Sequence, residues 1–196
     1  GVNLEKFLFV EKGIREPLIR NKFNLNPKDR VILSLCRHSR VKGLNYLLYA
    51  MPRILHECPN VKLVLAGLGR ETEKLKGITK NLKIGHNVIF PGYVRGEEKV
   101  KLLATAEIFV QPSLSDAFAL SALEAMACGK PIVITDRVGL ADFLKNGECG
   151  LIVEPGSPDT LADAILKLLS DDKLRLRLGK EAKRKAKEFD LSLIHI

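Results

Sequence analysis

Residues Ile108–Thr135, IFVQPSLSDAFALSALEAMACGKPIVIT, decide the fold. The apolar run Ile108–Pro112 reads as a buried strand. Phe118–Cys128 is built from small and apolar residues and reads as a helix. Gly129 suits the position just past its last turn, and Pro131 blocks any continuation. Ile132–Thr135 is again a strand. A strand, a helix and a strand in so short a span make the crossover unit of a parallel sheet, because a tight turn cannot join parallel neighbours.

The same alternation extends in both directions. Upstream, strands are expected at Val31–Arg37, Val61–Gly67 and Val88–Gly92. The helical periods between them are Leu44–Glu57, with Pro52 inviting a kink, the polar Glu71–Leu82 interrupted by Gly77, and Gly96–Ala106. Downstream come a short helix Leu140–Leu144 closed by Asn146-Gly147, a strand Gly150–Glu154, a helix Asp159–Leu169 with Ser157 or Asp159 near its N-cap, and a final helix Lys173–Phe189. The pattern predicts an α/β domain, a doubly wound, Rossmann-like parallel sheet with helices on both faces. Right-handed crossovers bring every strand's C-terminal end to one edge, where such sheets bind ligands near the switch in strand order. Chemistry is therefore expected after Leu35, Ala66, Phe90, Val110 and Thr135.

Composition narrows the partners. Hydrophobic residues make up 46% and charged residues 28% of the chain, an ordinary globular balance, and no apolar run approaches the ~20 residues that span a bilayer. Cys36, Cys58, Cys128 and Cys149 match no zinc spacing and read as free thiols, which fits a cytoplasmic setting. The formal net charge of +9 admits nucleoside diphosphates, anionic lipid or nucleic acid. Much of the excess recurs helically between Lys173 and Lys187. That pattern reads as a solvated face, with peripheral contact at the inner face of an anionic membrane as the alternative. Nucleic acid is disfavoured, because three Tyr and no Trp leave no interleaved aromatics for it.

Both ends look cut. The opening Gly1-Val-Asn-Leu-Glu-Lys-Phe7 reads like the middle of a protein. Residues 191–196, LSLIHI, read as a translated sequencing adapter, so the domain is expected to occupy residues 1–190.

Three segments carry candidate chemistry. After the first strand, Cys36-Arg-His-Ser-Arg-Val-Lys-Gly43 offers the planar donor fork of Arg37 and the point charge of Lys42, a pairing suited to a diphosphate. After the second, Gly67 and Gly69 permit a tight turn and close approach to a ligand, although no third glycine completes a dinucleotide fingerprint. After the fourth, a helix N-terminus would aim the N–H groups of Ala119, Leu120 and Ser121 at an anion. Glu124, one turn on, faces the same side and can accept from ribose hydroxyls. Asp116 can accept from sugar hydroxyls or simply cap the helix.

Together these residues resemble glycosyltransferase family 4, the large group of retaining GT-B enzymes. Its signature is an acidic residue, seven intervening residues and a Glu before a small-residue helix ending in Gly-Lys-Pro. Here that is Asp116, Glu124 and Ala125-Met-Ala-Cys-Gly-Lys-Pro131. Arg37, Lys42, the Gly1-Val-Asn opening, Gly67-Leu-Gly69, Pro91-Gly-Tyr-Val94 and Gly150-Leu-Ile-Val153 fall at family positions in order. The resemblance implies the C-terminal, donor-binding half of a GT-B fold. It implies retaining transfer of a hexosyl-type group from a UDP-, GDP- or ADP-sugar, with no metal and no cofactor. Arg37 and Lys42 would neutralise the leaving diphosphate. Leu120 and Ser121 would hold the distal phosphate, Glu124 the ribose, backbone around Val94 the base, and Asp116 the sugar. The other half of the cleft would come from an N-terminal acceptor domain, without which little or no sugar would be transferred. The family usually has Glu where this chain has Asp116 and Gly where it has Ala119, and both differences bear on which sugar fits. A nucleotide-sugar epimerase on a similar half-fold is the alternative enzyme, and the serial match of motifs argues against it.

Overall fold

The computed structural model describes residues 4–8 and 17–192. Residues 1–3 of the opening segment and residues 193–196 of the expected adapter tail lie outside the described residues.

In chain order the elements are α1 (Glu5–Leu8), α2 (Pro17–Lys22), β1 (Arg30–Leu35), α3 (Leu44–Glu57), β2 (Val61–Ala66), α4 (Thr72–Asn81), β3 (Val88–Gly92) and α5 (Gly96–Thr105). They continue with β4 (Ile108–Gln111), α6 (Leu120–Ala127), β5 (Ile132–Thr135), β6 (Gly150–Val153), α7 (Pro158–Ser170) and α8 (Asp172–Ser192). All six strands are parallel, in the order β3-β2-β1-β4-β5-β6, so the expected doubly wound sheet forms. The chain works outward from β1 to one edge, then returns to β4 and works outward to the other. The switch point lies between β1 and β4, which pair through Ile32 with Ile108 and Leu33 with Phe109.

Strand alternation sends side chains to two separate cores. Val31, Leu33, Val64, Phe109, Ile132 and Ile134 meet α1, α2, α5, α6 and the late turns of α8 on one face. Ile32, Leu63, Leu65, Val110 and Val133 meet α3, α4 and α7 on the other. All of these strand residues are at most 1% exposed, which is why the strands read as continuous apolar runs and not as alternating ones.

The boundaries differ from expectation where local chemistry decides them. α3 runs through Pro52 without a break. Leu44, Leu47, Leu48, Met51 and Ile54 bury one continuous stripe, and that burial outweighs the N–H missing at Pro52. The segment expected as a short helix at 140–144 is a 3₁₀ turn, Gly139–Phe143. α7 is capped by Ser157, whose hydroxyl accepts from Thr160 N–H at 3.3 Å, with Pro158 in the first turn. α6 begins at Leu120, two residues later than Phe118, for a reason that belongs to the site.

Candidate functional site

β1 ends at Leu35, and Cys36–Ser39 form a loop across the C-terminal edge of the sheet before a 3₁₀ turn at Arg40–Lys42. The loop is held from the loop that follows β2: His38 N–H donates to the Leu68 carbonyl at 3.1 Å, and Glu71 N–H donates to the His38 carbonyl at 3.1 Å. Gly67 and Gly69 make this contact possible. A Cβ on either would fall on a backbone carbonyl oxygen, that of Cys36 for Gly67 and that of His38 for Gly69. The close approach that these glycines permit is thus first to the chain's own β1 loop. His38 is fully buried, its Nδ1 lies 3.0 Å from Thr72 Oγ1, and burial lowers its pKa, so it packs as a neutral ring.

Lys42 and Asp116, far apart in sequence, meet across the β1/β4 switch point. Lys42 Nζ lies 2.5 Å from Asp116 Oδ2, with side-chain exposures of 21% and 12%. Gln111 Nε2 donates to the same oxygen at 3.2 Å and to Ser113 Oγ at 2.9 Å. Asp116 Oδ1 accepts from Ala119 N–H at 3.3 Å. The Asp116 backbone is pinned as well: its N–H donates to the Arg137 carbonyl and its carbonyl accepts from Gly139 N–H. Asp116 therefore caps the turn into α6 and neutralises Lys42 at once.

This turn sets the start of α6. Ala119 adopts the left-handed conformation, φ 61° and ψ 68°, at the N-cap, which costs a non-glycine residue about 1–2 kcal/mol. Its carbonyl accepts from Ala122 and Leu123, so those two N–H groups are satisfied, and its own N–H is taken by Asp116. Of the three N–H groups expected to face an anion, Ala119's is thus committed. Those of Leu120 and Ser121 have no partner among the described residues.

Arg37 is exposed, has no ion-pair partner among the described residues, and borders three adjoining depressions. One, of about 680 Å³, has Arg37, Lys42, Gln111, Asp116, Leu120 and Ser121 in its lining. A second, of about 460 Å³, lies among Arg37, Gly67, Tyr93, Val94 and Lys99. Both fall in the size range of small-molecule sites, ~300–1,000 Å³. The structure thus gathers Arg37, Lys42, Asp116, Leu120 and Ser121 at one depression, and Gly67 and Val94 at the next.

Glu124 lies one turn into α6, with its carboxylate against α5. Lys99 Nζ approaches Glu124 Oε2 to 2.5 Å, with side-chain exposures of 22% and 12%. The sequence gives no cue to Lys99, which stands in the charged run Glu97-Glu98-Lys99 on an otherwise surface-like helix start. Gln111 and Ser113 are equally silent, because only the fold shows that their side chains turn under the site.

Cys36 sits in the wall of both depressions. Burial pushes its thiol up to about 11, against the downward pull of Lys42 and of a hydrogen bond to Ser34. It stays protonated near neutral pH and is no nucleophile. Alkylation of Cys36 by iodoacetamide at pH 7.5, followed by mass spectrometry, is expected to run roughly a hundredfold slower than that of an unperturbed thiol. A rate equal to that of free cysteine would contradict the burial argument.

Comparison with known proteins bears on the family and the fold. The profile of the family described as glycosyl transferases group 1 matches residues 15–185. An uncharacterized glycosyltransferase of Methanocaldococcus jannaschii is 36% identical over 165 residues, covering 84% of this chain and 42% of the relative. Sucrose-phosphate synthase from Thermosynechococcus elongatus superposes with a TM-score of 0.84 at 28% identity, over 100% of this chain and 50% of that one. The Anabaena protein HepE, solved in complex with UDP, superposes with a TM-score of 0.84 at 20% identity, over 100% of this chain and 56% of that one, and shares the fold. The chain spans half or less of the length of the curated relatives it matches. By its sequence profile and its GT-B half-fold, the chain belongs to the group 1 glycosyl transferases.

Proposed function

We propose that this chain is the donor-binding half of a retaining glycosyltransferase that takes a hexosyl-type group from a nucleoside-diphosphate sugar. One observation carries the reading. Across the β1/β4 switch point, the cations Arg37 and Lys42 face the open N–H groups of Leu120 and Ser121 over a single depression. A diphosphate placed there would meet positive charge from one strand end and a helix N-terminus from the next. As the sugar–phosphate bond breaks, negative charge builds on the leaving diphosphate. Fixed donors stabilise that charge without reorganising, so no metal is required. Asp116 would align Lys42 and the left-handed turn beneath the sugar, and Glu124 would face the ribose. That the Anabaena neighbour of the same fold is solved in complex with UDP supports a nucleotide ligand. The acceptor-side half of the cleft would belong to a further domain of a longer protein, and this chain alone would transfer little or no sugar.

Titration calorimetry with UDP, GDP and ADP tests the reading. At least one is expected to bind with a Kd of about 1–100 μM, equivalent to roughly −8 to −5.5 kcal/mol, and binding should survive EDTA. No heat with any of the three would count against the site. We further infer a cytoplasmic setting from the four free thiols. Any contact with an anionic membrane would fall to Lys173, Arg177, Lys180 and Lys187, exposed along one side of α8, since Arg175, Arg184 and Lys185 are engaged with acidic neighbours.

A further inference from the structure

Lys99 has no part in the diphosphate site, yet it is tied to that site more tightly than a surface lysine. Its stem comes from the first turns of α5. Its ammonium lies 2.5 Å from Glu124 Oε2 and 5.8 Å from the centroid of the Phe7 ring. It also forms part of the wall of the depression that holds Gly67, Tyr93 and Val94. Glu124 is thus approached from an element it does not belong to, and its two oxygens are not equivalent. Oε2 is buried and paired with Lys99, whereas no ion pair among the described residues engages Oε1.

That asymmetry has a consequence for recognition. A glutamate on a helix surface samples several rotamers, and ordering such a side chain on binding costs up to ~1.5–2 kcal/mol. A carboxylate already held at one oxygen presents the other in a fixed direction before the ligand arrives. A partly buried ion pair adds little to stability beyond what two apolar side chains would give, so fold stability alone does not account for a charged pair here.

We propose that Lys99 is a positioning residue for the nucleoside: by holding Glu124 Oε2 it aims Oε1 at the ribose hydroxyls of a bound nucleoside diphosphate. The proposal rests on the nucleotide-site reading above. It adds a residue from α5 as the second half of the ribose clamp. In this arrangement Lys99 acts through Glu124, and it fixes selection of a ribose over a sugar lacking its hydroxyls.

The test is calorimetry on this chain with the tightest-binding of UDP, GDP and ADP and with its 2′,3′-dideoxy counterpart. The unsubstituted chain is expected to prefer the ribonucleotide by about tenfold or more, the worth of one or two hydrogen bonds to a charged acceptor. Lys99→Met keeps an unbranched stem beside Phe7 and removes the ammonium. It should weaken ribonucleotide binding by about tenfold and leave dideoxynucleotide binding unchanged, collapsing the preference. Lys99→Arg should restore most of it. Glu124→Ala should abolish the preference, and adding Lys99→Met to Glu124→Ala should then change nothing further. If Lys99→Met keeps the original preference, or weakens both ligands equally alongside a lowered melting temperature, the positioning role is overturned. If the unsubstituted chain binds diphosphates without any ribose preference, the inference falls while the diphosphate site stands. If it binds none of them, the site reading itself falls.

Discussion

Lys42→Ala is expected to weaken nucleoside-diphosphate binding by about a hundredfold and to destabilise the fold by about 1–2 kcal/mol. Two effects combine. The ammonium that would meet the diphosphate is lost, which removes a charge-assisted contact worth about 1.5–3 kcal/mol. Asp116, 12% exposed at its side chain, also loses the cation 2.5 Å away, and among the described residues its carboxylate keeps only Gln111 and the Ala119 N–H as partners. Breaking a fully buried pair costs about 3–5 kcal/mol, and the partial exposure of both groups here lowers the figure.

Arg37→Ala separates these two effects. Arg37 is exposed and unpaired among the described residues, so its removal should leave stability within about 0.5 kcal/mol while weakening diphosphate binding by about tenfold. The double change Lys42→Ala with Asp116→Asn isolates the orphaned charge. Asn keeps the shape and an acceptor for Ala119 N–H but carries no charge, so most of the lost stability should return while the lost affinity does not. Calorimetry for affinity and thermal denaturation for stability read the two effects independently. Unchanged affinity in both single variants would mean that the diphosphate lies elsewhere.

The contrast between Arg37 and Lys42 also marks the limit of what the sequence discloses. Both cations are visible as a basic cluster after a strand, and the strand–helix alternation fixes the edge to which they belong. The pairing of Lys42 with Asp116 is not visible, because it depends on β4 lying beside β1, and strand order follows from non-local packing. The same holds for Lys99 and Glu124, which come together only when α5 and α6 lie on one face of the sheet. The late start of α6 is hidden for a local reason. A left-handed N-cap is ordinarily signalled by glycine, and here Ala119 carries it, supported by Asp116. Helix existence, set by burial of Ala122, Leu123, Ala125 and Met126, was legible, whereas its first turn, set by one aspartate and one strained alanine, was not.

The glycines after β2 supply the second large effect. Gly67→Ala is expected to destabilise the chain by about 3 kcal/mol or more and to abolish diphosphate binding in whatever fraction remains folded. Gly67 has φ 131°, a region that a Cβ makes costly for any L-residue. The added methyl would also fall on the Cys36 carbonyl oxygen, a backbone atom that cannot rotate away. Relief requires the β1 loop to move off the β2 loop, which breaks the Leu68–His38–Glu71 hydrogen bonds and carries Arg37 away from α6. Gly77→Ala is the control. It lies inside α4 with open space where its Cβ would go, so the same substitution should stabilise by about 0.5–1 kcal/mol through helix propensity. Denaturant unfolding of the two variants should therefore shift in opposite directions. If Gly67→Ala unfolds like the parent chain and still binds nucleotide, the β1 loop is not braced by β2, and the placement of Arg37 needs another cause.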